Sequence, residues 1–145
     1  MNAIDAALKF LSRTTKGLKI SLTSPTFARR QMSNWTYFKD AEVVGLDTEL
    51  VAMLDRARHI AEVPFIITSG KRTIEENQAA GGVLDSSHLK GLAVDLRCQD
   101  STRRWAMLDA LFKVGFKRLG IYPAHLHVDL DPTKDSQVAW FVPTE

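Results

Sequence analysis

Two segments of the chain alternate between apolar and polar residues with a period of two, which is typical of β-strands that bury one face. In the later segment, residues 125–131, the apolar positions are Leu126, Val128 and Leu130, and the positions between them are His125, His127, Asp129 and Asp131. In the earlier segment, residues 92–97, Leu92, Val94 and Leu96 alternate with Ala93, Asp95 and Arg97. We therefore expect two strands whose polar faces carry imidazole and carboxylate groups.

Helical spacing of apolar residues marks other parts of the chain. Residues 47–62 have this spacing behind a capping residue, Asp47, so they predict a helix that Pro64 terminates. Thr73 is followed three positions later by Glu76, which is the pattern of a capping box. This pair predicts a second, shorter helix that ends near residue 80.

A third helix is predicted to begin near Ser101 and to end at Gly115. The apolar stripe that we expect to face the core consists of Trp105, Leu108, Leu111 and Phe112. Further extended segments are predicted at residues 65–68 and 116–122. Because helices and strands do not alternate regularly, the pattern predicts an α+β domain in which a small, mainly antiparallel sheet packs with about three to four helices.

The N-terminal part of the chain has a different pattern. Residues 1–12 predict a short amphipathic helix and the stretch up to residue 30 predicts an irregular arm, so we divide the chain into residues 1–30 and a domain of residues 31–145. The first apolar run lacks the basic start of a signal peptide, and no run approaches the roughly 20 apolar residues that span a bilayer. We expect a chain that is made in the cytoplasm without a signal peptide and is not inserted into a membrane.

Composition narrows the classes of function. Among 145 residues, 45% are hydrophobic and 25% are charged, as expected of an ordinary globular domain. The 19 Lys and Arg residues exceed the 17 Asp and Glu residues by a net charge of +2, which is too small to indicate a nucleic-acid partner. With a single cysteine, Cys98, neither an intrachain disulfide nor a cysteine-based zinc site can form, and we expect a buried, inert thiol.

The polar faces of the two alternating segments carry the candidate chemistry. If the two strands are neighbours, Asp95 and His127 face one cleft, and His88 reaches it from the preceding loop, where Gly91 allows a close bend. Taken singly, each polar residue also fits an ordinary solvated strand face. Two imidazoles and one carboxylate together suit Zn²⁺ and leave one coordination position open for water. Such a site favours hydrolysis of a peptide or amide.

These residues resemble the zinc peptidases that include bacterial D-alanyl-D-alanine carboxypeptidases and phage L-alanyl-D-glutamate endopeptidases, a family related in fold to the hedgehog signalling domain. The SxHxxGxAxD motif of that family is matched by Ser86, His88, Gly91, Ala93 and Asp95, and its closing HxD motif by His127 and Asp129. Its SGxR element is matched by Ser69, Gly70 and Arg72. The likeness covers roughly residues 37–131 and is greatest with the compact members from bacteriophages and prophages.

The resemblance implies that Zn²⁺ is held by His88, Asp95 and His127. It also implies that Arg72 lies near the substrate, where a guanidinium can pair with a carboxylate or stabilise a developing oxyanion.

One position departs from the family pattern. Many members carry an acidic general base three residues before the last histidine ligand, where this chain has Ala124. We expect His125 to act as the base instead, because it shares a strand face with His127. Asp129 is the second choice for this role, and it can alternatively orient a metal ligand.

The resemblance implies a zinc-dependent peptidase that hydrolyses the peptide part of bacterial peptidoglycan, as a D,D-carboxypeptidase or an endopeptidase similar to phage endolysins. The expected partners are peptidoglycan stem peptides, with no nucleic acid, and we expect a monomer that acts on the cell wall. Two alternatives stay open. The missing acid at Ala124 also fits a catalytically inactive, zinc-containing module that binds peptidoglycan, and a phage structural protein that kept the fold is a weaker alternative.

Overall fold

The structure is a computed structural model that describes residues 34–143, so the helix and arm predicted at residues 1–30 lie outside the described residues. The elements in chain order are helix α1 (Thr48–Ala61), strand β1 (Ile67–Ser69), helix α2 (Ile74–Ala79), strand β2 (Ala93–Arg97), helix α3 (Ser101–Lys113), and strands β3 (Arg118–Ile121), β4 (His125–Asp129) and β5 (Val138–Phe141). Short 3-10 turns lie at Asp40–Glu42 and Ser87–Lys90. The predicted α+β class is confirmed.

Local capping explains where the first two helices begin and end. The Asp47 carboxylate accepts hydrogen bonds from two backbone N–H groups of the first turn of α1, as predicted. The helix ends at Ala61 because Glu62 adopts a left-handed conformation, with φ of 54°. Thr73 and Glu76 form the predicted capping box of α2. No helix within residues 34–143 combines the length and the apolar character needed to cross a membrane.

The five strands form one mixed sheet in the order β1-β2-β4-β3-β5. In this described part of the chain, the pairs β1–β2, β2–β4 and β3–β4 are antiparallel and β3–β5 is parallel, so the predicted mainly antiparallel sheet is confirmed. Strand β5 was not among the predicted elements. Its four residues, Val138–Phe141, are all apolar, so no alternation of polar and apolar positions marks them as a strand.

The core lies between one face of the sheet and helices α1 and α3. Four of the six apolar positions of the two alternating segments are fully buried there, namely Val94, Leu96, Leu126 and Val128, and the two at the segment ends, Leu92 and Leu130, are partly buried. Helix α1 adds Leu50, Leu54 and Ala57, and helix α3 adds Met107, Ala110 and Leu111. The central strands therefore bury the face that their sequence period predicts.

The predicted core face of α3 is partly wrong. Leu111 is buried and Leu108 packs against the core, but Trp105 is 76% exposed and Phe112 is 54% exposed. Trp105 precedes Met107 by two positions, which turns the two side chains about 200° apart around the helix axis. The helix carries two apolar stripes, and the stripe that contains Met107 is the one that packs inward.

Aromatic residues ahead of α1 also pack on the core, and Cys98 is placed as expected. Phe38 is buried, and Trp35 and Tyr37 are partly buried against the core. Cys98 is a buried free thiol whose pKa is raised by burial. These four side chains therefore belong to the packing of the domain.

Candidate metal centre

Pairing between the two central strands brings the predicted ligands together. Asp95 of β2 lies directly opposite His127 of β4 in the antiparallel register, and both side chains project from the face of the sheet away from the core. His88 belongs to the 3-10 turn Ser87–Lys90, which leads into β2. The structure thus joins a loop residue and two strand residues at one point.

A glycine allows this turn to approach the segment of the same chain that precedes α1. Gly91 follows the turn with φ of 72°, a left-handed conformation that disfavours side chains. A Cβ atom at this position would lie 2.2 Å from the carbonyl oxygen of Gly45. The Gly91 carbonyl also accepts a hydrogen bond from the backbone of Asp47, at 2.9 Å. The motif glycine therefore fixes where the turn that carries His88 stands relative to the segment before α1.

Three donor atoms converge at the centre. His88 Nε2 lies 3.3 Å from His127 Nδ1 and 3.3 Å from Asp95 Oδ1, and the last two atoms are 3.0 Å apart. An ion with tetrahedral ligands at ~2.0–2.1 Å separates its ligand atoms by ~3.3 Å. The triangle formed by these three atoms therefore fits one small metal ion.

Hydrogen bonds on the far side of each ring determine which nitrogen faces the centre. His88 Nδ1 lies 2.8 Å from the Gly70 carbonyl, which can only accept, so Nδ1 carries the proton and Nε2 is left with its lone pair. His127 Nε2 lies 3.1 Å from Asp129 Oδ2, and Nδ1 is the nitrogen left for the centre. With the His127 proton on Nε2, toward Asp129, both imidazoles would present an unprotonated nitrogen to the centre, as metal ligation requires.

Hydrogen bonds and charge favour the ionised form of Asp95 in spite of its burial. Burial alone would raise the pKa of this carboxyl, but hydrogen bonds and charges from His127 and His88 outweigh it and hold the pKa far below the ordinary value. Burial likewise tends to lower the pKa of His127, whereas its contacts with Asp129 and Asp95 raise it overall. Asp95 is therefore negatively charged at neutral pH, the form that binds a cation.

Arg72 holds the other oxygen of the same carboxylate. Its Nη2 donates to Asp95 Oδ2 at 2.7 Å, and its Nε donates to Ser69 Oγ at 2.7 Å. Ser69, Gly70 and Arg72 thus each support the centre, because the Gly70 carbonyl also orients His88. The guanidinium lies in the cleft beside the centre, with two of its three nitrogens engaged by protein atoms.

Asp129 lies behind His127 and is itself firmly held. Its side chain is buried, and Oδ1 accepts hydrogen bonds from Arg118 Nε at 2.8 Å and from the Asp131 backbone at 3.1 Å. Arg118 also donates to the Asp135 carbonyl. Burial opposes ionisation of Asp129, but the hydrogen bond to His127, the bond from Asp131 and the Arg118 charge keep its pKa low.

Sequence reasoning missed Arg118. Its partner, Asp129, lies eleven positions later on another strand, so no local spacing links them. The alternation of side chains between the two faces of a strand, applied to the predicted extended segment 116–122, could have identified Arg118. There, Arg118 precedes Gly120 by two positions, and Gly120 lies opposite His127 in the sheet, so Arg118 shares the face of the site.

His125 lies at the edge of the centre. Its Nε2 is 3.9 Å from Asp95 Oδ1, and its ring stacks on Tyr122 with centroids 4.3 Å apart and planes 13° apart. Burial lowers the pKa of His125 and outweighs the Asp95 charge, which acts in the opposite direction. All six predicted site residues therefore line one cleft of about 430 Å³.

Trp140 closes the cleft at the β5 side. Its ring centroid is 5.6 Å from that of His127, and a Cβ atom added to Gly120 would lie 2.6 Å from the indole ring. The glycine in β3 therefore makes room for the tryptophan to lie across the strand. The loop of residues 80–83 also lines the cleft.

Comparisons with known proteins identify the family. The crystal structure of Serratia marcescens L-Ala D-Glu endopeptidase ChiX matches with 21% sequence identity and a TM-score of 0.48, over 63% of this chain and 85% of that one. No curated protein sequence matches the chain significantly. Residues 19–131 match the family model described as Peptidase M15. Because this match covers most of the chain and agrees with the motifs around His88 and His127, the chain belongs to the Peptidase M15 family.

Proposed function

We propose that the protein is a Zn²⁺-dependent peptidase that hydrolyses the peptide part of bacterial peptidoglycan, as a D,D-carboxypeptidase or an endopeptidase of the compact phage-endolysin type. The observation that carries the proposal is the convergence of His88 Nε2, Asp95 Oδ1 and His127 Nδ1 within 3.0–3.3 Å in an open cleft. Membership of a peptidase family supports the reaction class.

Zinc fits the donor set better than harder cations do. Two imidazole nitrogens and one carboxylate oxygen suit a borderline ion, whereas Mg²⁺ and Ca²⁺ prefer oxygen ligands. Bound at the three residues, Zn²⁺ would polarise the scissile carbonyl and lower the pKa of a water molecule to about 7. The chain then has to position the substrate, move one proton and stabilise negative charge.

His125 is the proton carrier in this proposal. It lies on the same strand as His127 and reaches the cleft, with its Nε2 3.9 Å from the carboxylate that faces the centre. The imidazole takes a proton from the attacking water and delivers it to the nitrogen of the leaving amine. Stacking on Tyr122 holds the ring at the edge of the centre throughout.

Arg72 and Asp129 have supporting roles. Arg72 already pairs with Asp95, so its remaining N–H groups can stabilise the oxyanion or a substrate carboxylate beside the centre. Asp129 is buried, and both of its oxygens are occupied by His127, Arg118 and the Asp131 backbone. This arrangement favours Asp129 as the group that orients His127, and it leaves His125 as the base.

The test is hydrolysis of purified peptidoglycan by protein of known metal content. We expect stoichiometric zinc and the release of peptide fragments, identified by mass, with no release by His127→Ala protein or after chelation. The fragment masses also identify the bond that is cleaved. Zinc-loaded protein that releases no more than the His127→Ala control would contradict the enzymatic proposal.

Ala124 favours one alternative function that is binding without catalysis. Because the acid that many relatives carry is missing there, the protein can also be considered an inactive, zinc-containing module that binds peptidoglycan. Such a module would sediment with sacculi in a zinc-dependent manner and release no fragments. The same incubation therefore separates the two functions.

A further inference from the structure

Among residues 34–143, three Arg and Lys side chains line the cleft, and two of them are held by buried carboxylates. Arg72 pairs with Asp95, whose side chain is 12% exposed, and Arg118 pairs with Asp129, whose side chain is 1% exposed. A substrate cannot displace either carboxylate without disturbing the metal centre, because Asp95 and Asp129 both contact His127. Both arginines are therefore fixed by the protein's own carboxylates, and a substrate can contact only the N–H groups that these bonds leave free.

Lys134 is the third of these cations, and its partner is exposed to solvent rather than buried. Its Nζ lies 3.0 Å from Asp85 Oδ2, and the Asp85 side chain is 74% exposed while that of Lys134 is 21% exposed. The Lys134 ammonium is the main cause of the lowered pKa of Asp85. An exposed ion pair contributes little free energy, and water can solvate a released Asp85 at once. The cost of exchanging this partner is therefore small.

We propose that Lys134 is the binding site for a carboxylate of the substrate peptide, and that Asp85 occupies this site in the free protein. The proposal rests on the proposed function and adds a recognition element to it. Stem peptides carry free carboxylates at the C terminus and on the α-carbon of D-glutamate. A partly desolvated ammonium in the cleft can pair with either of them.

The ion pair joins two segments that contribute to the cleft. Asp85 follows the loop of residues 80–83, and Lys134 belongs to the turn after β4, where its backbone N–H donates to the Asp131 carbonyl at 3.3 Å. Buried Asn77 holds the loop with two hydrogen bonds of 2.8 Å. Its side-chain Nδ2 donates to the Val83 carbonyl, and its backbone carbonyl accepts from the Gly82 backbone N–H. Asp85 is thus kept near Lys134 as an intramolecular competitor.

This arrangement predicts opposite effects for the two partners. Removing the charge of Lys134 eliminates the binding site, whereas removing the charge of Asp85 eliminates only the competitor. The first change should weaken binding of a carboxylate peptide, and the second should strengthen it. A merely structural ion pair would instead give the same sign for both substitutions.

The experiment uses a synthetic stem pentapeptide in three forms: with both carboxylates free, with the D-glutamate α-carboxylate amidated, and with the C terminus amidated. For zinc-loaded wild type, we expect amidation at one of the two positions to raise KM about tenfold, the effect of losing one charge-assisted hydrogen bond. Lys134→Gln should lose this discrimination, Lys134→Arg should retain most of it, and Asp85→Asn should lower KM for the free peptide by about two- to fivefold. Lys113→Gln, which makes the same charge change on an exposed part of α3, is the matched control.

Calorimetric binding of the same peptides is measured in parallel, so that the inference is decided even if no bond is cleaved. Absence of cleavage by zinc-loaded wild type would contradict the proposed function alone. Equal discrimination by wild type and Lys134→Gln, or weaker binding after Asp85→Asn, would overturn the role of Lys134. Loss of kcat with unchanged KM in Lys134→Gln would also overturn it, because a binding group must act on KM.

Discussion

The Nε2 atom of His88 lies 3.3 Å from the Nδ1 atom of His127, so the two rings direct different nitrogens to the same point. In each ring, the hydrogen bond of the nitrogen on the far side determines which nitrogen faces the centre. His88 donates to the Gly70 carbonyl at 2.8 Å, and His127 is bound to Asp129 at 3.1 Å. Ring orientation therefore depends on partners that do not themselves face the centre, which makes those partners testable.

The substitution Asp129→Asn should weaken metal binding without removing any of the three donor atoms. A neutral amide holds His127 less strongly than a carboxylate, and loss of such an outer partner typically costs 10- to 100-fold in metal affinity. The measurement is a zinc titration against a chromophoric competing chelator at fixed pH. Asp109→Asn, on the exposed side of α3, is the control for the change of charge. Equal affinity of wild type and Asp129→Asn would exclude the orienting role.

The substitution His125→Ala should reduce kcat on peptidoglycan peptides by about 10²- to 10⁴-fold, the usual contribution of a positioned general base. Zinc content should stay stoichiometric, because His125 lies at the edge of the centre and is not one of the three convergent donors. Tyr122→Phe keeps the ring that stacks on His125 and should change kcat by only a few-fold. A loss of only a few-fold in His125→Ala would assign the proton transfer to another group.

The position of the site was predictable because strand parity is a local property. The alternation through residues 125–131 separates Leu126 and Val128, which are fully buried, from His127, and the same rule separates Val94 from Asp95. A short antiparallel pair then needs only the correct register to bring the two polar faces together. This is why both the α+β class and the cluster of polar residues followed from the sequence.

Other features depend on contacts between distant parts of the chain. Arg118 reaches Asp129 from a neighbouring strand, and the ion pair of Lys134 with Asp85 joins residues 49 positions apart. No periodicity encodes such pairs. For Trp105 a periodic pattern was present but led to a wrong prediction. Its helix has two apolar stripes, and only the packing against α1 determines which stripe is buried.

The substitution Gly91→Ala should destabilise the fold by more than a change of backbone preference alone. Its φ of 72° disfavours a side chain, and the added Cβ atom would lie 2.2 Å from the Gly45 carbonyl oxygen. Gly81 is a matched control, since its φ is 69° but a Cβ atom there meets nothing within 4 Å. We expect Gly81→Ala to lower the free energy of unfolding by about 1 kcal/mol and Gly91→Ala by about 2–4 kcal/mol, measured by urea denaturation. Equal losses in the two variants would show that the close approach to Gly45 is unimportant.

The carboxylate of Asp131 should make the stability of the domain depend on pH in the acid range. This buried side chain accepts hydrogen bonds from Lys90 Nζ at 2.7 Å, from Ser87 Oγ at 3.0 Å, and from the N–H and hydroxyl of Thr133. Burial tends to raise its pKa, but these bonds outweigh burial and hold the pKa far below the unfolded value of about 3.9. The stabilisation is therefore complete above about pH 5, and it is lost as the pH falls below about 4, where the unfolded chain binds a proton that the folded protein does not.

Comparison of the wild type with Asp131→Asn isolates this contribution. At pH 7 the variant should be less stable by about 2 kcal/mol, because an amide cannot replace a carboxylate that accepts several hydrogen bonds, one of them from an ammonium group. The difference in the free energy of unfolding should shrink between pH 5 and pH 3, because only in the wild type does the unfolded chain bind a proton at this position that the folded protein does not. Asp109→Asn, whose carboxylate is solvent-exposed, should show almost no difference at either end of this range. A difference between wild type and Asp131→Asn that stays constant from pH 7 to pH 3 would mean that packing, and not the ionised carboxylate, is what Asp131 contributes.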